Sequence, residues 1–395
     1  MTKTVLNKKI NSILKIDYPL CSFSEIKLFL YALSVSYQPK IITVGGTNGK
    51  GSTVAILERL FKFNKINCVS YTSPHLLQFN ERIKFNGILI SNQSLIPILI
   101  EIEKIVYQIK LGLNYYQISF LCACVYMHHK APAWFILEVG IGGRLDPANQ
   151  FDSDISILTC IGLDHTEVLG DNIESIGLEK SHIARSNKPI ILGSAMPISV
   201  YNYLKQINAN IIKANMPSLY HCTHLPKQSV ACALSTALCI TPPLKIDPNI
   251  SSLQVPGRIQ ILQRNPMIIV DVGHNPDAVS YLFEKLIKYK KFYKRCIGIF
   301  GANATKDAKS MINIAKSHIN EWLIPDLHRI NNGFLTLNAI QLLLPEKNSK
   351  YFNNLIDLVK QLRMVIKNED LVIIFGSFIL VAEWIRLHEK SPLLY

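Results

Sequence analysis

With 395 residues, 49% of them hydrophobic and 18% charged, the chain excludes intrinsic disorder and holds more material than one core usually organises, so two domains are expected. A formal net charge of +14 admits nucleic acid as a partner, yet Lys285 to Arg295 (KLIKYKKFYKR) is the one dense basic run and the other cations are scattered. A solvated face or the attraction of small anionic substrates accounts for that distribution, and no nucleic-acid partner is expected.

The N-terminal stretch MTKTVLNKKINSILKIDYPL is a polar lead with neither an uninterrupted apolar region nor a small-residue cleavage site. The longest apolar runs break before the ~20 residues that a bilayer span needs. Nine cysteines, none in a CxxC pair, read as buried free thiols of a reducing compartment. A cytoplasmic monomer with no membrane association is therefore expected.

KIITVGG (40–46) reads as a buried strand, followed by a glycine-rich turn and the helical periodicity of STVAILERLFKFN (52–64). INCVSYTS (66–73), AWFILEVG (133–140) and DISILTCIGL (154–163) are further strand candidates alternating with helical stretches, the pattern of an α/β fold with a mostly parallel sheet. TPPLKIDPNI (241–250), with three prolines, reads as a linker. The boundary is placed there, giving domains 1–245 and 246–395. Beyond it, MIIVDVG, RCIGIFG, EWLIPDL and DLVIIFGS read as four strands of a smaller Rossmann-like α/β domain.

GTNGKGST (46–53) sits where a strand gives way to a helix. Gly46, Gly49 and Gly51 let backbone N–H groups approach an anion, with Thr47 and Asn48 between them; Lys50 neutralises terminal phosphate charge, and Ser52 or Thr53 reaches a metal ion or phosphate. ATP is the expected ligand of this P-loop-type domain. In YTSPHLLQFNERIKFNG (71–87), Ser73 offers a hard oxygen and Glu81 with Arg82 adds charge. Glu138 ends an apolar run, where a carboxylate leaving a buried strand meets nucleotide-bound Mg²⁺. Asp164 and His165 follow a buried strand, and Lys180 lies on a helix that Asp171 or Asn172 can cap. In the second domain, Arg258 of VPGRIQIL can reach a phosphate, Asp271 ends a strand and can accept from ribose hydroxyls, and His274 with Asn275 stands at a helix entrance opened by Pro276.

TVGGTNGKGST resembles the phosphate loop of the Mur ligase superfamily, and its GKGS form resembles the folate branch, dihydrofolate synthase and folylpolyglutamate synthase. YTSPHL with ERI, EVGIGGRLDPAN, LDH followed by EKS, VPGR, and DVGHNP are similar to that branch's ordered motifs over nearly the whole chain. The resemblance implies Mg²⁺ ligation by Ser52, Ser73, Glu138 and His165, and by Lys180 once carbamylated. It implies catalytic roles for Lys50, Glu138, His165 and Lys180, pterin contacts for Arg144, Asp146 and Asn149, an adenine contact at Ser229, where the family commonly has Asn, and a smaller domain that closes over ATP and binds glutamate. The pterin-side motifs are carried at Asp17 and Leu20 and at Asn114, Tyr116 and Gln117. Several letters depart from the family: Pro147 and Ala148 stand in the DATN segment, Ser181 and His182 follow Lys180, and GSFILVA has Ile379 for His.

The expected activity is that of an ATP- and Mg²⁺-dependent ligase joining L-glutamate to dihydropteroate and reduced folates through an acyl phosphate. A cell-wall amino-acid ligase of the same superfamily, a nucleic-acid-dependent P-loop ATPase and a catalytically silent nucleotide-binding relative remain open alternatives at this point.

Overall fold

The structure is a computed structural model describing residues 2–216, 225–290, 292–344 and 346–390. It divides into two compact units, Met1–Leu253 and Gln254–Tyr395. The proline-rich stretch lies wholly inside the first unit and closes with a short 3-10 helix, Pro248–Ser252, capped by the Asp247 carboxylate.

The first unit holds an eight-stranded sheet: β1 (Lys40–Gly45), β2 (Cys68–Tyr71), β3 (Ile83–Phe85), β4 (Ile88–Leu89), β5 (Trp134–Glu138), β6 (Ile155–Leu158), β7 (Pro189–Leu192) and β8 (Asn210–Lys213), in the order β4-β3-β2-β5-β1-β6-β7-β8. The six strands from β2 to β8 in that order are parallel, whereas β3 and β4 form an antiparallel edge hairpin. Its turn is Asn86-Gly87, both at positive φ (52° and 77°), the two-residue turn whose twist matches the strands. Strands β1, β2, β5 and β6 are buried at every position but Lys40, as expected of a parallel sheet covered on both faces. Helices Asn92–Ile109 and Tyr115–Lys130 cover one face together with Thr2–Leu14, whose Leu6, Ile10 and Ile13 join the same core as Val69 and Phe135. The N-terminal lead expected to be polar is thus an amphipathic helix. Helices Lys50–Phe63 and Lys227–Cys239 pack against each other.

The second unit has six strands: β9 (Gln260–Arg264), β10 (Met267–Asp271), β11 (Arg295–Phe300), β12 (Glu321–Pro325), β13 (Ser349–Phe352) and β14 (Asp370–Phe375), ordered β13-β12-β11-β14-β10-β9. All neighbours run parallel except β9, which pairs antiparallel with β10. Four of these match the expected strands; β9 and β13 are additional edges. Arg295 bolts the start of β11 to its neighbours through Asp370 (2.6 Å) and Glu321 (3.0 Å). Lys285, the first residue of the basic run, lies inside the helix Pro276–Lys290. Lys291 and the side chains of Lys288 and Lys290 lie outside the described residues. Among the described residues no helix is long and apolar enough to cross a membrane.

Candidate active site

Because β1, β2, β5 and β6 are parallel neighbours, their exits bring the four motif-bearing loops of the first unit to one edge of the sheet, where α/β folds bind ligands. After β1 the chain turns through Gly46 (φ 131°) and Gly49 (φ 88°), and the helix starts at Lys50. A Cβ on Gly46 would overlap the Thr159 hydroxyl, and one on Gly49 would stand 2.6 Å from Ser229 Oγ, so both positions exclude a side chain. The exit of β6 clamps the loop. Thr47 N–H donates to the Cys160 carbonyl (2.8 Å), the Thr47 hydroxyl accepts from Gly162 N–H (3.0 Å), and the Thr159 hydroxyl donates to the Asn48 carbonyl (2.6 Å). Ser229 Oγ donates to the Gly49 carbonyl (3.0 Å), holding the other side. Thr53 is buried and returns its hydroxyl to the same Gly49 carbonyl (3.0 Å).

Two amines meet at this loop. Lys50 Nζ donates to the carbonyls of Gly46 (2.9 Å) and Thr47 (3.2 Å), while Lys180 Nζ reaches the Gly46 carbonyl at 3.3 Å. Lys180 is buried on the helix Ile173–Ser181, which Asn172 caps by accepting from Ser175 N–H (2.9 Å). Its burial, and secondarily the Lys50 charge beside it, pulls the amine down to about 7. A neutral, nucleophilic amine is therefore well populated at neutral pH.

Glu138, at the end of β5, is buried, and its Oε2 accepts from Ser73 N–H (3.1 Å). A Cβ built on Gly51 would lie 3.5 Å from the same oxygen, so the carboxylate borders the first turn of the helix Lys50–Phe63. In that turn Ser52 Oγ is buried and, among the described residues, has no hydrogen-bond partner. A buried hydroxyl left unpaired costs free energy unless a ligand completes it. Mg²⁺ is commonly held by one or two carboxylates plus substrate phosphates, and a carboxylate beside an unpaired hydroxyl at a phosphate loop fits such an ion. His165 follows β6 at φ 53°, with its N–H donating to Asp164 Oδ1 (3.0 Å) and Nδ1 3.7 Å from the Glu167 carboxylate. Among the described residues no three His, Cys, Asp or Glu side chains gather into a metal cage.

The residues expected on the pterin side lock loops together. Asp146 accepts from the Tyr116 hydroxyl (2.8 Å) and from the N–H groups of Gly140 (2.9 Å), Ile141 (3.3 Å) and Ala148 (2.8 Å). Burial pushes its carboxyl up to about 6 against these four donors. Asn114 and Gln117 form a capping box on the helix Tyr115–Lys130, and Gln117 Nε2 also donates to the Cys21 carbonyl (2.7 Å), latching the segment that carries exposed Asp17 and Leu20. Asn149 donates to the Arg144 and His182 carbonyls (3.2 and 3.3 Å) and accepts from Arg185 (2.9 Å). Arg144 is exposed and paired with Glu179 (3.1 Å). Asp146→Ala is expected to destabilise the chain by about 2–4 kcal/mol, since four donors lose their acceptor in a buried site; urea midpoints at constant m check it.

A further cluster organises the Ser73 loop. Buried Arg82 donates to His75 Nδ1 (2.9 Å) and Ser119 Oγ (3.2 Å) and lies over the Tyr115 ring (5.1 Å). Glu81 accepts from the N–H groups of Leu76 (2.7 Å), Leu77 (2.9 Å) and Gln78 (2.8 Å). The sequence marks both residues only as charge; their role as loop organisers depends on partners that fold onto them.

In the second unit Asp271 accepts from Ile259 N–H (2.8 Å) and Gly273 N–H (2.7 Å), so it joins the VPGR and VGHNP turns. Its carboxyl is raised by burial and lowered by nearby Arg258. Asn275 caps the helix Pro276–Lys290 by accepting from Ala278 N–H (3.0 Å). His274 Nδ1 meets the Val272 carbonyl at 3.0 Å.

Residues 257–378 match the family model described as Mur ligase, glutamate ligase domain. A relative from Buchnera aphidicola subsp. Schizaphis graminum (strain Sg), named dihydrofolate synthase/folylpolyglutamate synthase, is 33% identical over 402 residues, covering 94% of each chain. The chain belongs to the dihydrofolate synthase/folylpolyglutamate synthase family. Two solved structures from this family superpose over 98% of both chains: E. coli FolC in complex with DHPP and ADP, with TM-score 0.86 and 29% identity, and the Yersinia pestis bifunctional folylpolyglutamate synthase/dihydrofolate synthase complexed with AMPPNP and Mn ion, with TM-score 0.88 and 27% identity. The two-sheet α/β architecture is therefore that of the dihydrofolate synthase/folylpolyglutamate synthase family.

Proposed function

We propose that the chain is an ATP-dependent ligase that forms an amide between L-glutamate and the carboxylate of dihydropteroate or a reduced folate, acting with a divalent metal as a cytoplasmic monomer on small molecules. The observation that carries this reading is the convergence of Lys50, Lys180, the unpaired Ser52 hydroxyl and the Glu138 carboxylate on one phosphate loop in a chain 33% identical to a named dihydrofolate synthase/folylpolyglutamate synthase.

The N–H groups of Lys50, Gly51 and Ser52 in the first turn of the helix receive the phosphates, where the dipole favours negative charge. Lys50 leaves its two carbonyls for the terminal phosphate and offsets the charge that develops as the substrate carboxylate attacks it in line. Glu138, Ser52, Ser73 and His165 would hold Mg²⁺, which would supply further electrostatic stabilisation of the transferring phosphoryl group. The attack forms an acyl phosphate and releases ADP. The amine of glutamate then adds to the acyl carbon, loses a proton, and the tetrahedral adduct expels inorganic phosphate. Lys180 in its neutral form adds to CO₂ with loss of a proton, which converts a neutral amine into a carbamate anion that would join the metal's ligands. Arg144, Asp146, Asn149, Tyr116, Gln117, Asn114, Leu20 and Asp17 form the pterin side. Arg258, Asp271, His274, Asn275 and Ser229 serve the nucleotide.

The test is ADP formation with dihydropteroate and then tetrahydrofolate, each with and without glutamate. Release that needs both the pteroate-type acid and glutamate is expected. Turnover indifferent to glutamate, or stimulated by nucleic acid, would overturn the reading.

A further inference from the structure

Phe378 opens the helix Phe378–Lys390 after β14 and, unlike buried Phe375 and Leu380 nearby, stays half-exposed. Two polar side chains flank its ring. The Arg258 guanidinium lies 5.3 Å from the ring centroid, and the His274 ring lies 5.7 Å away with the planes tilted by 56°. These residues come from three separate turns whose main chains are laced together: Val272 N–H donates to the Gly257 carbonyl (2.8 Å), and Gly376 N–H donates to the Gly273 carbonyl (3.0 Å). Asp271 adds its two bonds to the same turns. The Val272 carbonyl can only accept, so neutral His274 carries its proton on Nδ1, and the carbonyl fixes the in-plane direction of the imidazole. The Phe378 face adds an aromatic contact to both side chains.

We propose that Phe378 is a positioning residue, whose ring holds Arg258 and His274 in a fixed mutual orientation so that an anionic substrate group meets them already arranged. The inference rests on the ligase reading above, in which Arg258 serves ATP. A guanidinium over an aromatic face gains an electrostatic attraction that an aliphatic side chain of similar size does not offer, and an arginine ordered before binding loses less freedom when it binds.

On the full-length chain, Phe378→Leu is expected to raise KM for ATP about five- to tenfold with kcat within about twofold, and Phe378→Tyr to return KM to within about twofold of the parent. Adding Phe378→Leu to Arg258→Ala should raise KM by a smaller factor than Phe378→Leu does in the parent, because the ring then has only His274 to hold. Should Phe378→Leu fail to fold, Phe378→Met replaces it as a flexible apolar filler. ¹⁵N relaxation of the Arg258 Nε–H reads the same order without turnover: order should fall in Phe378→Leu and persist in Phe378→Tyr. Unchanged Arg258 order, unchanged KM in the leucine variant, or a tyrosine variant as impaired as the leucine one overturns the proposal. A parent chain without glutamate-dependent ATP turnover sinks the ligase reading instead, and the relaxation measurement still decides the role of Phe378.

Discussion

Lys50→Ala is expected to lower kcat by roughly a thousandfold, with thermal stability close to that of the parent. Among the described residues the side chain bonds to two carbonyls of its own loop, at 2.9 and 3.2 Å, and such partners are readily hydrated when the amine leaves. What the variant loses is a charge aimed at a phosphoryl group in transit, and removing one preorganised donor of that kind typically costs about 10²–10³ in kcat. Single-turnover ADP formation separates this from an effect on nucleotide binding. Undiminished turnover in the variant would contradict the phosphate contact.

Lys180→Ala is expected to lower activity by roughly a hundredfold or more, the scale on which electrostatic groups at a transferring phosphoryl act. Formate or acetate should restore part of it if a carbamate is the working form, since a small carboxylate can occupy the emptied space. Failure of rescue in a folded variant would argue against the modification. The bare amine also leaves a pH signature. The native amine lies at about 7, against about 10.4 for a lysine in an unfolded chain. Between those values the unfolded chain binds more protons, so stability rises with pH across that window and the gain is complete only above it. In CO₂-depleted buffer the parent's urea midpoint should climb through this range, and Lys180→Met should flatten the climb.

The buried parallel strands were readable because each is a continuous apolar run between turn residues, as in β1 and β10. Edge strands were not: β9 (QILQR) and β13 (SKYF) are only partly buried and carry charge, so nothing in their composition marks them as sheet. The β3–β4 hairpin was not read, because its three- and two-residue strands are too short to show alternation. Lys8 and Lys9 between Leu6 and Ile10 masked the spacing of Leu6, Ile10 and Ile13. At the site, the phosphate loop and Glu138 were legible because strand-end position carries their chemistry. The clamp from Thr159, Cys160 and Gly162 was invisible, since its partners lie more than a hundred residues away in the chain. Asp146 and Asn149 read as substrate contacts from their motif, while the structure adds the loop-locking bonds that the motif does not display.

The turns at Gly257, Gly273 and Gly376 owe their mutual placement chiefly to amide and carbonyl groups, which every residue but proline possesses. Apart from Asp271 and the positive φ of Gly257 and Gly376 (69° and 108°), such a frame asks little of side-chain identity. Neighbouring letters can be exchanged while the scaffold keeps its shape, as Ile379 illustrates by occupying a helix start that holds its geometry. At these turns, vulnerability to mutation is correspondingly concentrated in the glycines and the few side chains the frame presents.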